Sequence, residues 1–187
     1  MKRTLLVLVF ILFSLAGLRA QEHENTTRPD RPAPKWFTYT SAEGRYSVAL
    51  SEQPKLTSQN ITAASGDKLI QYMASAPVGV GIVMVGYFDY PTTVVFSLDE
   101  ASNGMVKSLQ GTLLGEESIS LGGSPGRQIK IGAKTGSGTD FIDRARFYDV
   151  SRRIYVLQCL FPKSDDGERT AQTCEQFFDS FKAQTRP

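Results

Sequence analysis

The sequence predicts an α+β domain, an antiparallel β-sheet with α-helices packed on it, and three observations carry that expectation. Most of the chain beyond residue 35 is a succession of short alternating or apolar segments broken by Gly, Asp and Pro turns, the pattern of neighbouring hairpins. One stretch, SLDEASNGMVKSL, changes to helical spacing among the strands, and another, from about Asp166 to Lys182, closes the chain with the same spacing. There is no internal repeat, so residues 36–187 read as one domain, large enough to bury about 70% of the surface its unfolded chain exposes.

The first element is a targeting segment. In MKRTLLVLVFILFSLAGLRA, Lys2 and Arg3 precede an apolar run from Leu5 to Leu15, the layout of a signal peptide over residues 1–20. That run is shorter than the roughly 20 apolar residues a membrane span needs. Cleavage after Ala16 satisfies the small-x-small rule through Ser14, and cleavage after Ala20, which we take, leaves the polar start QEHENTT. A lipoprotein would need cysteine where Leu18 stands, so no lipid anchor is expected. Loss of Lys2, Arg3 and Arg19 with no acid takes the formal charge from +2 to −1, which leaves no basic excess for nucleic acid or an anionic membrane. Residues 21–35, with Pro29, Pro32 and Pro34, read as a polar tether. The expected location is periplasmic or secreted.

Along the domain, WFTYT and RYSVAL form the first strands, with Tyr46, Val48 and Leu50 on one face of the second. KLTSQNITA and KLIQYMASA flank Ser65-Gly66-Asp67 as a hairpin. VGVGIVMVGYF, from Val78, is a continuous apolar run and the expected central strand, covered on both faces. In the first helix Ser97 and Glu100 stand at capping-box spacing ahead of the stripe Leu98, Ala101, Met105 and Leu109. Strands return with TLLGEESISL, GRQIKIGAK, DFIDRARFYDV and RIYVLQCLF, and the closing helix carries Ala171, Cys174, Phe178 and Phe181 on one stripe, with Phe177 beside them.

RIYVLQCLF holds one of the two cysteines. Alternation puts Tyr155, Leu157, Cys159 and Phe161 on one face, and Cys174 lies in the helical stripe that must cover a sheet. The chain reverses at PKSDDG, so Cys159, roughly 7 Å before the strand end, and Cys174, some 12 Å into the helix, meet at comparable height. In an oxidising compartment such a pair forms a disulfide. Two buried free thiols are the alternative. A redox-active pair fits worst, because the spacing is not Cys-x-x-Cys and apolar surroundings raise a thiol pKa.

Catalytic and cofactor motifs are missing. The single histidine, His23, falls in the tether, which removes histidine-based triads and zinc sites. GVGIVMVG has Met84 where a dinucleotide fingerprint needs its third glycine, and IGAKTG fails as a phosphate loop and reads as a turn. Glu116 and Glu117 point to opposite faces, and Asp165 and Asp166 suit the first turn of a helix. No metal and no cofactor is expected. Arg144 and Arg146 share a strand face, with Arg152 and Arg153 at the adjoining turn, so these four are the candidate anion or partner surface, unless Asp143, Asp149 or water takes them up. Asn25 and Asn60 head glycan sequons, usable only where the cell has that machinery.

EGRYSVALSEQPK, LGGSPGRQIKI, RRIYVLQ and FFDSF, in this order of elements, resemble the superfamily that holds the PsbP subunit of photosystem II, Ran-binding nuclear import factors and many exported bacterial proteins of unknown role. The matching positions are Gly44, Arg45, Tyr46, Pro54, Gly123, Pro125, Gly126, Arg127, Tyr155, Ser180 and Phe181, and the resemblance covers most of residues 36–182. It implies an antiparallel sheet packed between α-helices, an α/β/α sandwich, and an accessory or binding module without catalysis. No Ran-binding or manganese site can be carried across. The function expected is therefore an exported module that binds a protein partner or envelope component through its sheet edge or the arginine-bearing hairpin. A small-ligand carrier is the alternative, and a carboxylate-based hydrolase comes third.

Overall fold

The computed structural model describes residues 3–5, 35–62 and 66–184, so residues 6–20 of the signal peptide and most of the tether lie outside the described residues. Arg3–Leu5 (β1) pairs in parallel with Val94–Phe96 (β7). The elements between and after them are β2 (Phe37–Ser41), β3 (Tyr46–Leu50), β4 (Lys55–Thr62), β5 (Lys68–Val78), β6 (Gly81–Asp89), α1 (Leu98–Ser108), β8 (Thr112–Leu121), β9 (Ser124–Lys134), β10 (Asp140–Val150), β11 (Arg153–Pro162), α2 (Asp165–Ser180) and β12 (Lys182–Ala183). Seven strands form one antiparallel sheet in the order β4-β5-β6-β11-β10-β9-β8, and β12-β3-β2 form a second of three strands.

The apolar run from Val78 is not one strand. Gly79 takes φ +56°, and a Cβ there would meet the Thr170 hydroxyl at 2.5 Å, so the chain turns at Gly79–Val80 and only the remainder continues as β6. The central strand is β11 instead. It shares its two sides with β6 and β10, and nine of its ten residues are buried. The β10–β11 turn places both Ser151 and Arg152 at positive φ, the geometry of a two-residue hairpin turn without its usual glycine. Arg152 offsets that strain by lying 4.7 Å over the Tyr90 ring and donating to the Tyr90 carbonyl at 3.1 Å.

Alternation along β11 feeds two cores. Tyr155, Leu157, Cys159 and Phe161 pack with Cys174, Phe177, Phe178 and Phe181 of α2 and with Tyr46, Val48 and Leu50 of β3. Ile154 and Val156 pack on the other face with Phe88, Ile129, Phe147 and, from α1, Ala101 and Met105. The sandwich of a sheet between helices is thus only partly realised. The three-stranded sheet shares one face with α2, and α1, about 16 Å long, covers little of a sheet some 29 Å wide.

Caps set the helix limits. Ser97 accepts from the Glu100 amide at 3.2 Å, but the returning half of the capping box is absent, and Glu100 Oε2 is buried with no hydrogen-bond partner among the described residues. Helix α2 starts at Ser164, whose hydroxyl accepts from the Gly167 amide at 3.2 Å. It stops two residues before Lys182 because Phe181 is extended and Lys182–Ala183 pair with β3. The Ser180 hydroxyl fixes that exit, accepting from the Ala49 amide at 2.8 Å and donating to the Phe177 carbonyl at 2.7 Å.

The two edges of the large sheet differ. Strand β8 has a bulge between Leu113 and Gly115, followed by Glu116 and Glu117. Strand β4 keeps an unbroken register with β5, and its sole formal charge is Lys55.

Within the α1-side core sits one acid. Asp143 is 0% exposed, in phase with Phe141, Ala145 and Phe147. It accepts from Gln158 Nε2 at 2.8 Å through Oδ2, while Oδ1 has no hydrogen-bond partner among the described residues. Loss of solvation pushes its carboxyl up to about 7, against the weaker opposing pull of the Gln158 hydrogen bond.

Two outcomes follow from this core. Cys159 and Cys174 come together as a disulfide with Cα atoms 6.1 Å apart, closing a separation of 15 residues. Reduction, or Cys174→Ala, is expected to lower unfolding free energy by about 3 kcal/mol in urea titrations. Equal midpoints with and without reductant would show that the bond does not form. For Asp143 the folded pKa lies above the unfolded one, so the folded state holds the proton after the unfolded chain has lost it. Its contribution to stability is therefore greatest below about pH 4, declines as pH rises to about 7, and is about 4 kcal/mol lower beyond that. In Asp143→Asn this decline is expected to flatten, and urea midpoints at pH 4.5, 6 and 8 read it directly; curves that stay parallel to the wild type contradict the assignment.

Candidate functional site

The four arginines do not gather into one surface. Arg144 and Arg146 project from β10 toward α2, where Arg144 pairs with Glu175. Arg146 reaches Glu175 at 3.3 Å, Asp179 at 3.1 Å and the Gln128 amide oxygen at 2.7 Å, and lies 4.7 Å over the Phe178 ring. Both guanidiniums thus tie the sheet to α2. At the far end, Arg152 is held by Tyr90 as described, and Arg153 grips Asp89 through Nε and Nη2, each at 2.7 Å, and the Glu43 carbonyl through Nη1 at 2.7 Å. Asp143 is no partner of these four side chains, since it faces the opposite core and accepts from Gln158, whereas Asp149 feels the charge of Arg152 and accepts from the Tyr90 hydroxyl at 2.7 Å. Glu116 is bound by Arg127 at 2.8 Å and the Ser102 hydroxyl at 3.1 Å, and Asp165 and Asp166 stand in the first turn of α2. Among the described residues no group of His, Cys, Asp and Glu could hold a metal ion.

The clearest concave feature beside an open strand edge lies between the two sheets. There Tyr39 and Ser41 of β2 and Tyr46 of β3 stand opposite Leu56 and Ser58 of β4, Tyr72 of β5 and Tyr87 of β6, around a cleft of about 320 Å³. A second cleft of about 370 Å³, between α2 and the β8–β9 side, mixes Lys130 and Arg144 with Glu117 and Glu168. The tyrosine cleft is built by register. Tyr155 is opposite Tyr87, Tyr87 is opposite Tyr72, and Tyr72 is opposite Ser58, so an aromatic row crosses three strands and ends over a small residue on the edge. Tyr72 and Tyr87 stack at 5.1 Å, and the Arg153 guanidinium lies 4.6 Å over Tyr87. The Tyr155 hydroxyl anchors the inner end of the row on the Gly44 carbonyl at 2.8 Å. Gly44 itself admits no Cβ, which would fall 2.5 Å from the Tyr46 ring. Burial, aided by the charge of Glu43, pushes the Tyr87 phenol up to about 12, so that ring stays protonated and neutral.

Beside the cleft, no strand among the described residues pairs with the outer side of β4. Leu56 is 64% exposed and Ile70, on the adjacent strand, 49%, and both share the face of Tyr72. The sequence reading passed over this site because its tyrosines come from five strands of two sheets: cross-strand register aligns Tyr155, Tyr87 and Tyr72 in one row, and the second sheet brings Tyr39 and Tyr46 against it. Asp143 was overlooked for another reason: its phase with Phe141, Ala145 and Phe147 was visible in DFIDRARF, yet the acid was weighed only as a partner for the arginines.

No protein-family model and no curated protein matches the sequence. Among solved structures, cyanobacterial PsbP (CyanoP) from Synechocystis sp. PCC 6803 aligns with a TM-score of 0.52 at 10% identity, over 86% of this chain and 99% of that one. PA94 from Pseudomonas aeruginosa, a protein of unknown function, aligns with a TM-score of 0.41 at 11% identity over 81% and 98% of the two chains, and carries no argument. The first alignment spans nearly the whole of the other protein at an identity too low to speak of anything but architecture, and on that footing this chain has a PsbP-like fold.

Proposed function

We propose that this chain is an extracytoplasmic, non-catalytic binding module that takes an extended segment of a protein partner along β4. One observation carries the reading: β4 is an eight-residue edge strand with no bulge and no proline, and it borders a tyrosine-lined cleft with Leu56 and Ile70 exposed beside it. Such an edge offers main-chain hydrogen bonds to an incoming strand, and alternate side chains of that strand enter whatever pockets flank it. Placement outside the cytoplasm is supported by the Cys159–Cys174 bond and the secretory layout of residues 1–20, and no helix among the described residues is long and apolar enough to cross a membrane. Absence of catalysis is supported by the state of the acids beside the clefts and in the core: Glu116 and Glu175 are paired with arginines, and Asp143 is sealed among apolar side chains. A small-ligand carrier is the second reading, favoured by the cleft's size, which falls at the lower end for ligand pockets.

The test is capture from the native envelope fraction by the mature domain, compared with a Leu56→Lys/Ser58→Lys variant whose changes lie at exposed edge positions. The variant is expected to fold as the wild type does by circular dichroism and to lose at least about tenfold of the captured partner, since charges on an edge strand oppose pairing. Undiminished capture by the variant would remove β4 from the account. Turnover of a hydrolase panel, abolished by alanine at one acid, would replace the binding module with an enzyme.

A further inference from the structure

The edge that the proposed function uses also has a readable side-chain code, and the inference drawn from it rests on that reading. On the cleft side, β4 presents Leu56, Ser58, Asn60 and Thr62 as its outer row, and register places Ala74, Tyr72, Ile70 and Lys68 directly behind them. Each position on an added strand would therefore meet a defined pair. Opposite Leu56 the surroundings are aliphatic. Opposite Ser58 the hydroxyl is too small to cover the open side of Tyr72, and the cleft of about 320 Å³ lies above it. Two strand spacings, about 10 Å, separate an added strand from β5, a gap that two facing aromatic side chains close and aliphatic ones do not. Opposite Asn60 stands the exposed Ile70, and opposite Thr62 the exposed Lys68. Strand β4 carries no carboxylate, and its sole formal charge, Lys55, is positive like Lys68 of β5, so the charge that complements this edge is negative.

We infer that the partner segment is an extended strand that pairs antiparallel with β4, as all neighbours in the large sheet do, and reads, from its N-terminus, acid-x-aliphatic-x-aromatic-x-aliphatic. The acid meets Lys68, the first aliphatic side chain covers Ile70, the aromatic ring crosses Ser58 to extend the Tyr87–Tyr72 row into the cleft, and the second aliphatic side chain packs on Leu56. The aromatic residue is the main determinant, since it fills the sole concave part of the site.

The probe is the synthetic peptide Thr-Asp-Thr-Val-Thr-Tyr-Thr-Val-Thr, with acetylated and amidated ends, added to the mature domain. Binding is read by titration, and its location by amide hydrogen exchange in β4. The expected result is protection of β4 amides, a loss of at least about tenfold in affinity when the probe tyrosine becomes alanine, and a several-fold loss, removed by high salt, when its aspartate becomes lysine. Tyr72→Ala in the protein should erase the preference for tyrosine over alanine in the probe while leaving the aspartate effect. If the tyrosine and alanine probes protect β4 equally, the code is wrong and strand addition stands. If the probe binds and protects another surface, both fall. If it does not bind at all while the envelope partner still depends on Leu56 and Ser58, the code alone is overturned.

Discussion

Strand β11 is buried on both faces along nearly its whole length, and the rest of the molecule is arranged to keep it so. A strand in this position must send alternate side chains into two separate cores, and no single helix can close both. The chain meets that demand with α1 on one side, and with α2 and the three-stranded sheet on the other. The return of α2 along β11 brings Cys174 to Cys159, and Phe181 at its end seats the aromatic cluster of Tyr46, Tyr148 and Tyr155. The two polar side chains of β11 among these apolar ones have specific partners, Arg153 on Asp89 and Gln158 on Asp143. Burial of polar atoms inside such a strand costs free energy unless they are paired, so each of these fixes a neighbour as well as itself.

Much of this was legible in the sequence, because local pattern dictates it. RYSVAL, DFIDRARFYDV and RIYVLQCLF alternate as strands do, Ser97 stands where a cap belongs, and the stripe of Ala171, Cys174 and Phe178 points to a covering helix. Failures arose where tertiary contact decides. VGVG reads as strand until Thr170, ninety residues later, is found against Gly79 and bonded to the Val80 amide. The four arginines look like one surface until α2 supplies Glu175 and Asp179 to two of them and β6 supplies Asp89 to another. Hairpin order could not show that β11 is central, because the long connection through α1 and β8 places β6 beside it. The tyrosine cleft was the least legible feature, since its construction depends on register across β4, β5, β6 and β11 and on the angle of a second sheet.

The arrangement divides labour between charge and aromatic surface. Arginine–carboxylate pairs fasten elements to one another, β10 to α2 and β11 to β6, so the cationic groups near the core are committed to the fold. The tyrosines make a graded row, anchored at Tyr155 by a hydroxyl bond to Gly44, clamped at Tyr87 by a guanidinium, and half-open at Tyr72. Exposure therefore increases toward the rim, from the buried Tyr155 and Tyr87 to the half-buried Tyr72. A pre-ordered inner end lowers the cost of fixing side chains on association.

The unequal rims of the large sheet set a limit on growth. A ribbon of sheets lengthens without end only when each unit can be continued at both of its sides, and here the bulge and paired glutamates of β8 close one of them. Under the proposed strand addition, whatever joins at β4 finds no matching berth on β8, so growth through the large sheet stops after a single step. A sheet built this way favours discrete complexes over fibres even at high local concentration.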